Sequence, residues 1–235
     1  MKTNEELIDE LIDLAFAEDI GDGDHTTLCC IPATEMGRSR LIIKEEGVLA
    51  GVRVALEVFR RFDPELKTTI YIEDGARVKP GDVAFVTEGK VQSLLQTERL
   101  MLNIMQRMSG VATMTALYQD RLKGLHTRVL DTRKTTPGMR LLEKEAVKIG
   151  GGVNHRIGLL DMILLKDNHV DFAGGLRNAI TKANEYLRST GKDLKIEIEV
   201  RSLDELAQVL EIGGVNRIMF DNFTPDVTKK AVEMV

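Results

Sequence analysis

The sequence predicts an α/β protein in two parts, with residues 1–108 mixing helices and short strands and residues 109–235 carrying a parallel sheet. Three observations lead there. In the front part the strand patterns do not alternate regularly with helices. After residue 128 strand and helix do alternate, which argues for parallel strands joined by right-handed crossovers. Four apolar runs of strand type then end on charge: Val129-Leu130 before Asp131-Thr132-Arg133-Lys134, Met162-Ile163-Leu164-Leu165 before Lys166, Ile196–Val200 carrying Glu197 and Glu199, and Ile218-Met219-Phe220 before Asp221. In a parallel α/β barrel the C-terminal strand ends open onto one face. If the four strands are parallel neighbours, Arg133, Lys134, Lys166, Glu199 and Asp221 converge on one pocket. Three cations and two carboxylates suit a polyanionic substrate carrying Mg²⁺.

Each element has its own signal. Thr3 and Glu6 form a capping-box pattern, and Leu7, Ile8, Leu11, Ile12, Leu14 and Ala15 recur at helical spacing, so residues 4–18 read as a helix. Gly21-Asp22-Gly23-Asp24 stops it. Residues 38–44 read as a strand, Gly47 and Gly51 punctuate, and Val54 to Phe62 reads as a helix. Short strands follow at 68–72, 76–78 and 83–87, the last two joined by the turn Lys79-Pro80-Gly81-Asp82. From Ser93 to about Leu122 the pattern is helical, with Gly110 expected to break it into two helices. Leu100, Met101, Ile104, Met105 and Met108 form a stripe that reads as core.

Beyond residue 128, helices are expected at 139–149, stopped by Gly150-Gly151-Gly152, and at 175–188. A third is capped by Ser202 with Glu205 and ends at Gly213-Gly214; a fourth starts at Thr224-Pro225. Only four βα units fit before Val235, whereas a closed barrel wants about eight strands. Either the sheet is open, its missing edge is covered by another subunit, or the chain is cut short.

Composition narrows the class. Apolar residues make up 43% and charged residues 29%, as in soluble globular proteins, and the net charge of −5 argues against non-specific nucleic-acid binding. No apolar run approaches the roughly 20 residues that span a bilayer. The acidic, amphipathic N-terminus lacks a signal-peptide layout. The only cysteines, Cys29 and Cys30, are adjacent and read as small packing residues rather than a zinc or disulfide framework. A cytoplasmic protein without membrane or nucleic-acid partners follows.

The segment Asp131–Gly138 is dense in phosphate or carboxylate binders, since Arg offers a planar fork, Lys a point charge and Thr a hydroxyl. A solvated basic loop is the plain alternative. Gly150–Arg156 is a second loop in which glycines would let the backbone approach a ligand. It ends in His155-Arg156, which makes His155 a better candidate than His25, His126 or His169. Lys166 at a strand end needs an anion, be it a ligand, Asp167 or another acid. Glu197 and Glu199 share one face of their strand, where lysine partners or a metal are expected. With Asp221 they offer hard oxygens of the kind Mg²⁺ takes, through waters and substrate phosphates. Arg99 and Arg107 share the long helix with Gln92, Gln96, Asn103 and Gln106, a set that could be only its wet face.

Taken in order, these segments resemble quinolinate phosphoribosyltransferase, also called nicotinate-nucleotide pyrophosphorylase (carboxylating). The likeness runs from Ala17–Thr27 and Glu46–Gly51 through Glu98-Arg99, Leu102-Asn103 and Ser109–Thr113 to Asp131–Thr135, Gly150–Arg156, Lys166–His169 and Asp221-Asn222. It implies an N-terminal α+β, sandwich-like domain (1–108) followed by an open, here incomplete, parallel α/β barrel (109–235). It implies phosphoribosyl transfer from phosphoribosyl pyrophosphate (PRPP) to quinolinate with decarboxylation, in de novo NAD biosynthesis, with Mg²⁺ as cofactor. The implied assembly is a homodimer or higher oligomer in which Arg99 reaches the partner subunit's site. Arg133, His155, Arg156 and Lys166 would hold the two carboxylates of quinolinate. Thr132 and Lys134 would line the same site, with Lys134 reaching the phosphoribosyl moiety. Glu199 and Asp221 would face the ribose and hold Mg²⁺ through water and pyrophosphate, so that Lys134, Glu199 and Asp221 carry the chemistry. In the family, further strands bring a Ser-Gly-Gly type loop and a Gly-Ala loop to the 5-phosphate, and this sequence ends at Val235 before either. The expectation is weak or absent binding of the phosphoribosyl donor. The alternatives are an inactive anion-binding or assembly protein of the same family, and a molybdenum-transport-associated relative.

Overall fold

The computed structural model describes residues 2–235, which fall into two compact units meeting at His155 and Arg156. In the first unit, α1 (Asn4–Asp19) starts at a complete capping box: Thr3 Oγ1 accepts the Glu6 N–H at 3.1 Å and the Glu6 carboxylate accepts the Thr3 N–H at 2.7 Å. A short helix not expected from the pattern, α2 (His25–Cys30), follows the glycine turn, because Asp24 caps it by accepting the Thr27 N–H at 3.1 Å. The Thr27 side chain, and after it this N–H, hold the Asp24 carboxyl below its ordinary range. Only Thr27 of this helix is buried, so Cys29 and Cys30 both face solvent, contrary to their reading as packing residues.

Strands β1 (Met36–Ile42), β3 (Lys67–Ile70) and β5 (Val83–Lys90) form an antiparallel sheet in the order β1-β5-β3. The central strand buries Ala84, Phe85, Val86 and Thr87. It runs past the expected end at Thr87 because pairing with β1 continues from Thr87↔Ser39 to Lys90↔Met36, beyond its apolar pattern. A two-residue pair, β2 (Gly47–Val48) with β4 (Arg77–Val78), lies apart from it. Helix α3 (Val52–Phe62) starts at Gly51, whose φ of 97° favours glycine and where a Cβ would stand 3.2 Å from the Met105 Cα.

The expected break at Gly110 does not occur. Helix α4 (Val91–Arg121) is continuous over 31 residues. Gly110 sits on its exposed side, where glycine costs about 1 kcal/mol. Burial of Met101, Ile104, Met105, Met108 and Ala112 outweighs that cost, and the methionine stripe is core as expected. The same helix anchors the preceding chain, since Ser109 Oγ accepts the Ala50 N–H at 3.0 Å and Thr113 Oγ1 accepts the Val48 N–H at 2.8 Å. Helix α5 (Arg140–Ile149) completes this unit.

The expected strand at 129–130 shrinks to one parallel bridge, Leu130 with Val153. Its partner Val153 directly follows three glycines, of which Gly151 has a φ of 89°, so the pairing does not run back into that segment. The four-strand arrangement expected from the sequence is therefore a three-strand one.

The second unit carries those three strands. Strands β6 (Ile163–Leu165), β7 (Ile196–Val200) and β8 (Arg217–Phe220) are parallel neighbours in that order. Helices α6 (Asp167–Ala173) and α7 (Leu176–Thr190) link β6 to β7, α8 (Leu203–Ile212) links β7 to β8, and α9 (Pro225–Met234) follows. The unexpected α6 has a single buried residue, Val170, and thus no apolar period to read; His169 Nδ1 accepts the Lys166 N–H at 3.0 Å at its start. Ser202 caps α8 through the Glu205 N–H, but the Glu205 carboxylate turns to the Arg201 N–H, so only half of the expected capping box forms. Thr224 and Pro225 open α9 as predicted. Ile198, Val200, Leu206, Val209 and Ala231 are fully enclosed in this unit's core. Among the described residues no helix is long and apolar enough to cross a membrane.

Candidate functional site

In the second unit the sheet puts charge at the C-terminal ends of three adjacent strands. Lys166 directly follows β6, Glu199 is the penultimate residue of β7, and Asp221 directly follows β8. Lys166 Nζ lies 3.0 Å from Glu199 Oε1, so the anion that the lysine needs is Glu199 rather than Asp167. Asp221 is exposed; its N–H is held by the Val200 carbonyl at 2.9 Å and its carboxylate accepts from the Asn222 amide at 3.0 Å. Asn222 adopts a φ of 55°, the one positive φ outside glycine among the described residues. Beneath this edge Glu197 is completely enclosed and accepts from Arg217 Nη1 at 3.1 Å across the β7–β8 register. Arg156, also buried, donates to the Met162 carbonyl at 3.2 Å, just before β6.

The other predicted residues belong to the first unit. From Asp131 to Thr135 burial alternates: Asp131, Arg133 and Thr135 point inward, while Thr132 and Lys134 are exposed. Thr132 Oγ1 accepts the Lys134 N–H at 3.0 Å, which curls the segment locally. The Arg133 Nε is buried without a hydrogen-bond partner among the described residues. His155 is half-buried, its N–H donating to Asp131 Oδ1 at 2.8 Å. Arg99 stands on the exposed side of α4. Its neighbours Gln92 and Arg107 are not simply a wet face, because Gln92 donates to the Ile31 carbonyl at 2.7 Å and Arg107 forks onto Glu143 at 2.8 and 2.7 Å.

Three residues that sequence reasoning passed over fix this segment from below. Arg140, Glu143 and Lys144 share one face of α5, at the i, i+3 and i+4 positions. Arg140 donates to Thr135 Oγ1 at 3.2 Å and to the Arg133 carbonyl at 3.4 Å. Glu143 accepts the Thr136 N–H at 3.3 Å. Burial pushes the Glu143 carboxyl up, but hydrogen bonds from Arg107 and Thr136 outweigh it and hold the group below its ordinary range. Lys144, 1% exposed, donates to Asp131 Oδ1 and, at 3.2 Å, to the His155 carbonyl. The available signal was a lysine set between Leu142 and Ala146, inside an apolar stripe.

The glycines of the second loop serve packing rather than ligand approach. A Cβ on Gly150 would stand 2.4 Å from the Ala112 carbonyl oxygen of α4, and one on Gly152 would stand 2.8 Å from Val147. Among the described residues no group of three or more His, Cys, Asp or Glu side chains could hold a metal. Glu199 and Asp221 stand at the C-terminal ends of the neighbouring strands β7 and β8. A groove of about 480 Å³ beside α4, lined by Leu41, Val48, Leu102, Met105 and Met114 among others, contains none of the predicted site residues.

Comparison with known proteins places these features. Residues 24–109 match the N-terminal domain of quinolinate phosphoribosyl transferase and residues 111–235 its C-terminal domain. Among curated proteins the chain is 41% identical to a nicotinate-nucleotide pyrophosphorylase [carboxylating] of Arabidopsis thaliana, covering 96% of this chain and 68% of that one. It is 40% identical to quinolinate phosphoribosyltransferase [decarboxylating] 1b of Nicotiana tabacum, over 95% of this chain and 65% of that one. The chain thus spans about two thirds of the length of these plant relatives. The NadC crystal structure from Streptococcus pyogenes superposes with a TM-score of 0.92 at 38% identity, covering all of this chain and 81% of that one. The nicotinate-nucleotide pyrophosphorylase from Francisella tularensis gives 0.91 at 36% identity. The architecture, the charged strand ends and the match of both domains together show that the chain belongs to the quinolinate phosphoribosyltransferase family.

Proposed function

We propose that this chain transfers the phosphoribosyl group of PRPP to quinolinate with loss of CO₂, giving nicotinate mononucleotide and pyrophosphate. The observation that carries the reading is the match of both family domains, in order, over residues 24–109 and 111–235. The charges support it, since a pyridine diacid calls for several cations.

In this reading Arg133, His155, Arg156 and Lys166 bind the two carboxylates, and Thr132 lines the same site. Lys134 reaches the phosphoribosyl moiety. Glu199 and Asp221 face the ribose, where positive charge builds as the bond to pyrophosphate breaks. The pyridine nitrogen forms the new bond to C1 of the ribose. Quaternised, the ring accepts the electron pair left at C2 when the 2-carboxylate departs as CO₂, and C2 then takes a proton. Catalysis is mainly positioning and electrostatic stabilisation by fixed charges. Glu199 and Asp221 would hold Mg²⁺, which would supply positive charge to balance the departing phosphates. A homodimer, or a higher oligomer built from it, in which Arg99 serves the partner's site, and a cytosolic location complete the proposal.

Isothermal titration with quinolinate alone, then with PRPP and Mg²⁺, followed by detection of nicotinate mononucleotide, tests the reading. Binding of quinolinate and formation of the mononucleotide are expected, and turnover would overturn the weak binding of the phosphoribosyl donor expected from the sequence. Quinolinate binding without turnover would reduce the protein to an anion-binding relative. Absence of quinolinate binding would refute both readings.

A further inference from the structure

We infer that Lys144 is a positioning residue: its buried ammonium locks the Asp131–Thr136 segment to His155, so that Thr132, Arg133, Lys134 and His155 stand at fixed mutual positions. The inference rests on the proposed reaction for its consequence, though not for its geometry.

A lysine ammonium and a carboxylate are enclosed at high cost unless each is paired and hydrogen-bonded. Here both conditions are met. The Lys144 ammonium donates to Asp131 Oδ1 and to the His155 carbonyl, and the His155 N–H returns to the same Asp131 oxygen at 2.8 Å. With its amide nitrogen turned toward acceptors, Asn154 donates to Asp131 Oδ2 at 2.8 Å and to the Lys144 carbonyl at 2.9 Å. The side chains of Lys144 and Asp131 are 1% and 7% exposed. Enclosed to that degree, neither presents a surface to a ligand. Apolar residues of similar volume would fill the space without desolvating two charges, so the pair serves geometry better than it serves stability.

The geometry is specific. The knot joins two backbone segments, 131–136 and 153–155, that share only one β-bridge. Arg140 and Glu143, on the same face of α5, hold Arg133, Thr135 and Thr136. With Asp131, Arg133 and Thr135 partly buried and fastened, Thr132 and Lys134 are left exposed. Lys144 touches both segments, through Asp131 in one and His155 in the other. Freed of it, the segments would keep only the bridge and the bonds that Asp131 accepts from His155 and Asn154, and the spacing of Lys134 and His155 would loosen.

The test compares wild type, Lys144→Met and the double variant Asp131→Asn/Lys144→Met. It reads amide hydrogen exchange at residues 132–136 and 154–155 together with kcat/KM for quinolinate. In Lys144→Met, exchange at those amides is expected to rise at least about tenfold above that of the β5 amides, and kcat/KM to fall about 100-fold, the size of a 1 Å misplacement. The double variant removes both buried charges. It should melt close to wild type while keeping fast local exchange and low kcat/KM, an outcome that a purely stabilising ion pair would not give. Should Lys144→Met fail to fold, the double variant carries the test alone. Unchanged exchange at these amides in a folded variant, or wild-type kcat/KM in the double variant, would overturn the inference. A wild-type chain that does not turn over quinolinate would refute the functional reading instead, and the exchange pattern would still decide whether Lys144 joins the two segments.

Discussion

Replacing Arg107 with Met should expose how one carboxylate is held in the first unit. Glu143, whose side chain is 8% exposed, receives two hydrogen bonds from the Arg107 fork and a third from the Thr136 N–H at 3.3 Å. Breaking a buried pair from one side costs about 3–5 kcal/mol. The Arg107 side chain is 51% exposed, so water screens much of the attraction and about 2 kcal/mol is the reasonable expectation. For a protein of this size that lowers Tm by about 4–8 °C. The sign with pH is distinctive. In wild type the Glu143 pKa is depressed, so its contribution is full above the unfolded pKa of about 4.3 and is lost only as pH falls through the lower folded value. Without Arg107, only the Thr136 hydrogen bonds oppose burial, so the folded pKa rises. The penalty is then greatest at neutral pH and relaxes as the carboxyl takes up a proton. Thermal melts followed by circular dichroism at about pH 7.5 and about pH 5 should show the Tm deficit of Arg107→Met shrinking on acidification. The double variant Arg107→Met/Glu143→Gln should recover most of the loss at both pH values. A deficit of equal size at both pH values, or a double variant as unstable as the single, would refute the account.

Three further outcomes are expected. Gly150→Ala drives a methyl to 2.4 Å from the Ala112 carbonyl of α4, and should cost about 3 kcal/mol or more, visible as reduced soluble yield or a Tm lowered by at least about 6 °C. Lys166→Met removes a cation assigned to a quinolinate carboxylate, worth about 1.5–3 kcal/mol, so the Kd for quinolinate in titration should rise about 10–100-fold; it also leaves the largely buried Glu199 unpaired, so Tm should fall by a few degrees. Cys29 and Cys30 lie on the surface, so both should react with a thiol reagent in the native protein as fast as in denaturant; one protected thiol would contradict the exposed placement of α2.

Much of this was legible because the signals were local. Thr3, Ser202 and Thr224 cap helices where their spacing says they should, and the runs at 162–165, 196–200 and 217–220 form parallel strands ending on Lys166, Glu199 and Asp221. Failures came where a distant partner decided. Gly110 remains helical because methionines on the far side of α4 are buried, which local propensity does not report. Val129-Leu130 looks like a strand but meets only Val153. Gly150 and Gly152 suggested a ligand and instead admit the α4 backbone and Val147. The role of Lys144 depends on Asp131, thirteen positions earlier, and on His155, eleven later, a pairing no periodicity reveals.

The two family domains abut at Gly110, between residues 109 and 111, inside the 31-residue helix. A cut there would separate Ser109 from Thr113, the two hydroxyls that fasten Ala50 and Val48, and would strip Ala112, Ala116, Leu142 and Ala146 from the core they share with Met101, Met105 and Met108. The border drawn by ancestry is therefore no place to divide the polypeptide: halves expressed separately at residue 110 should aggregate, and proteases should spare a bond that sits within a rod about 46 Å long.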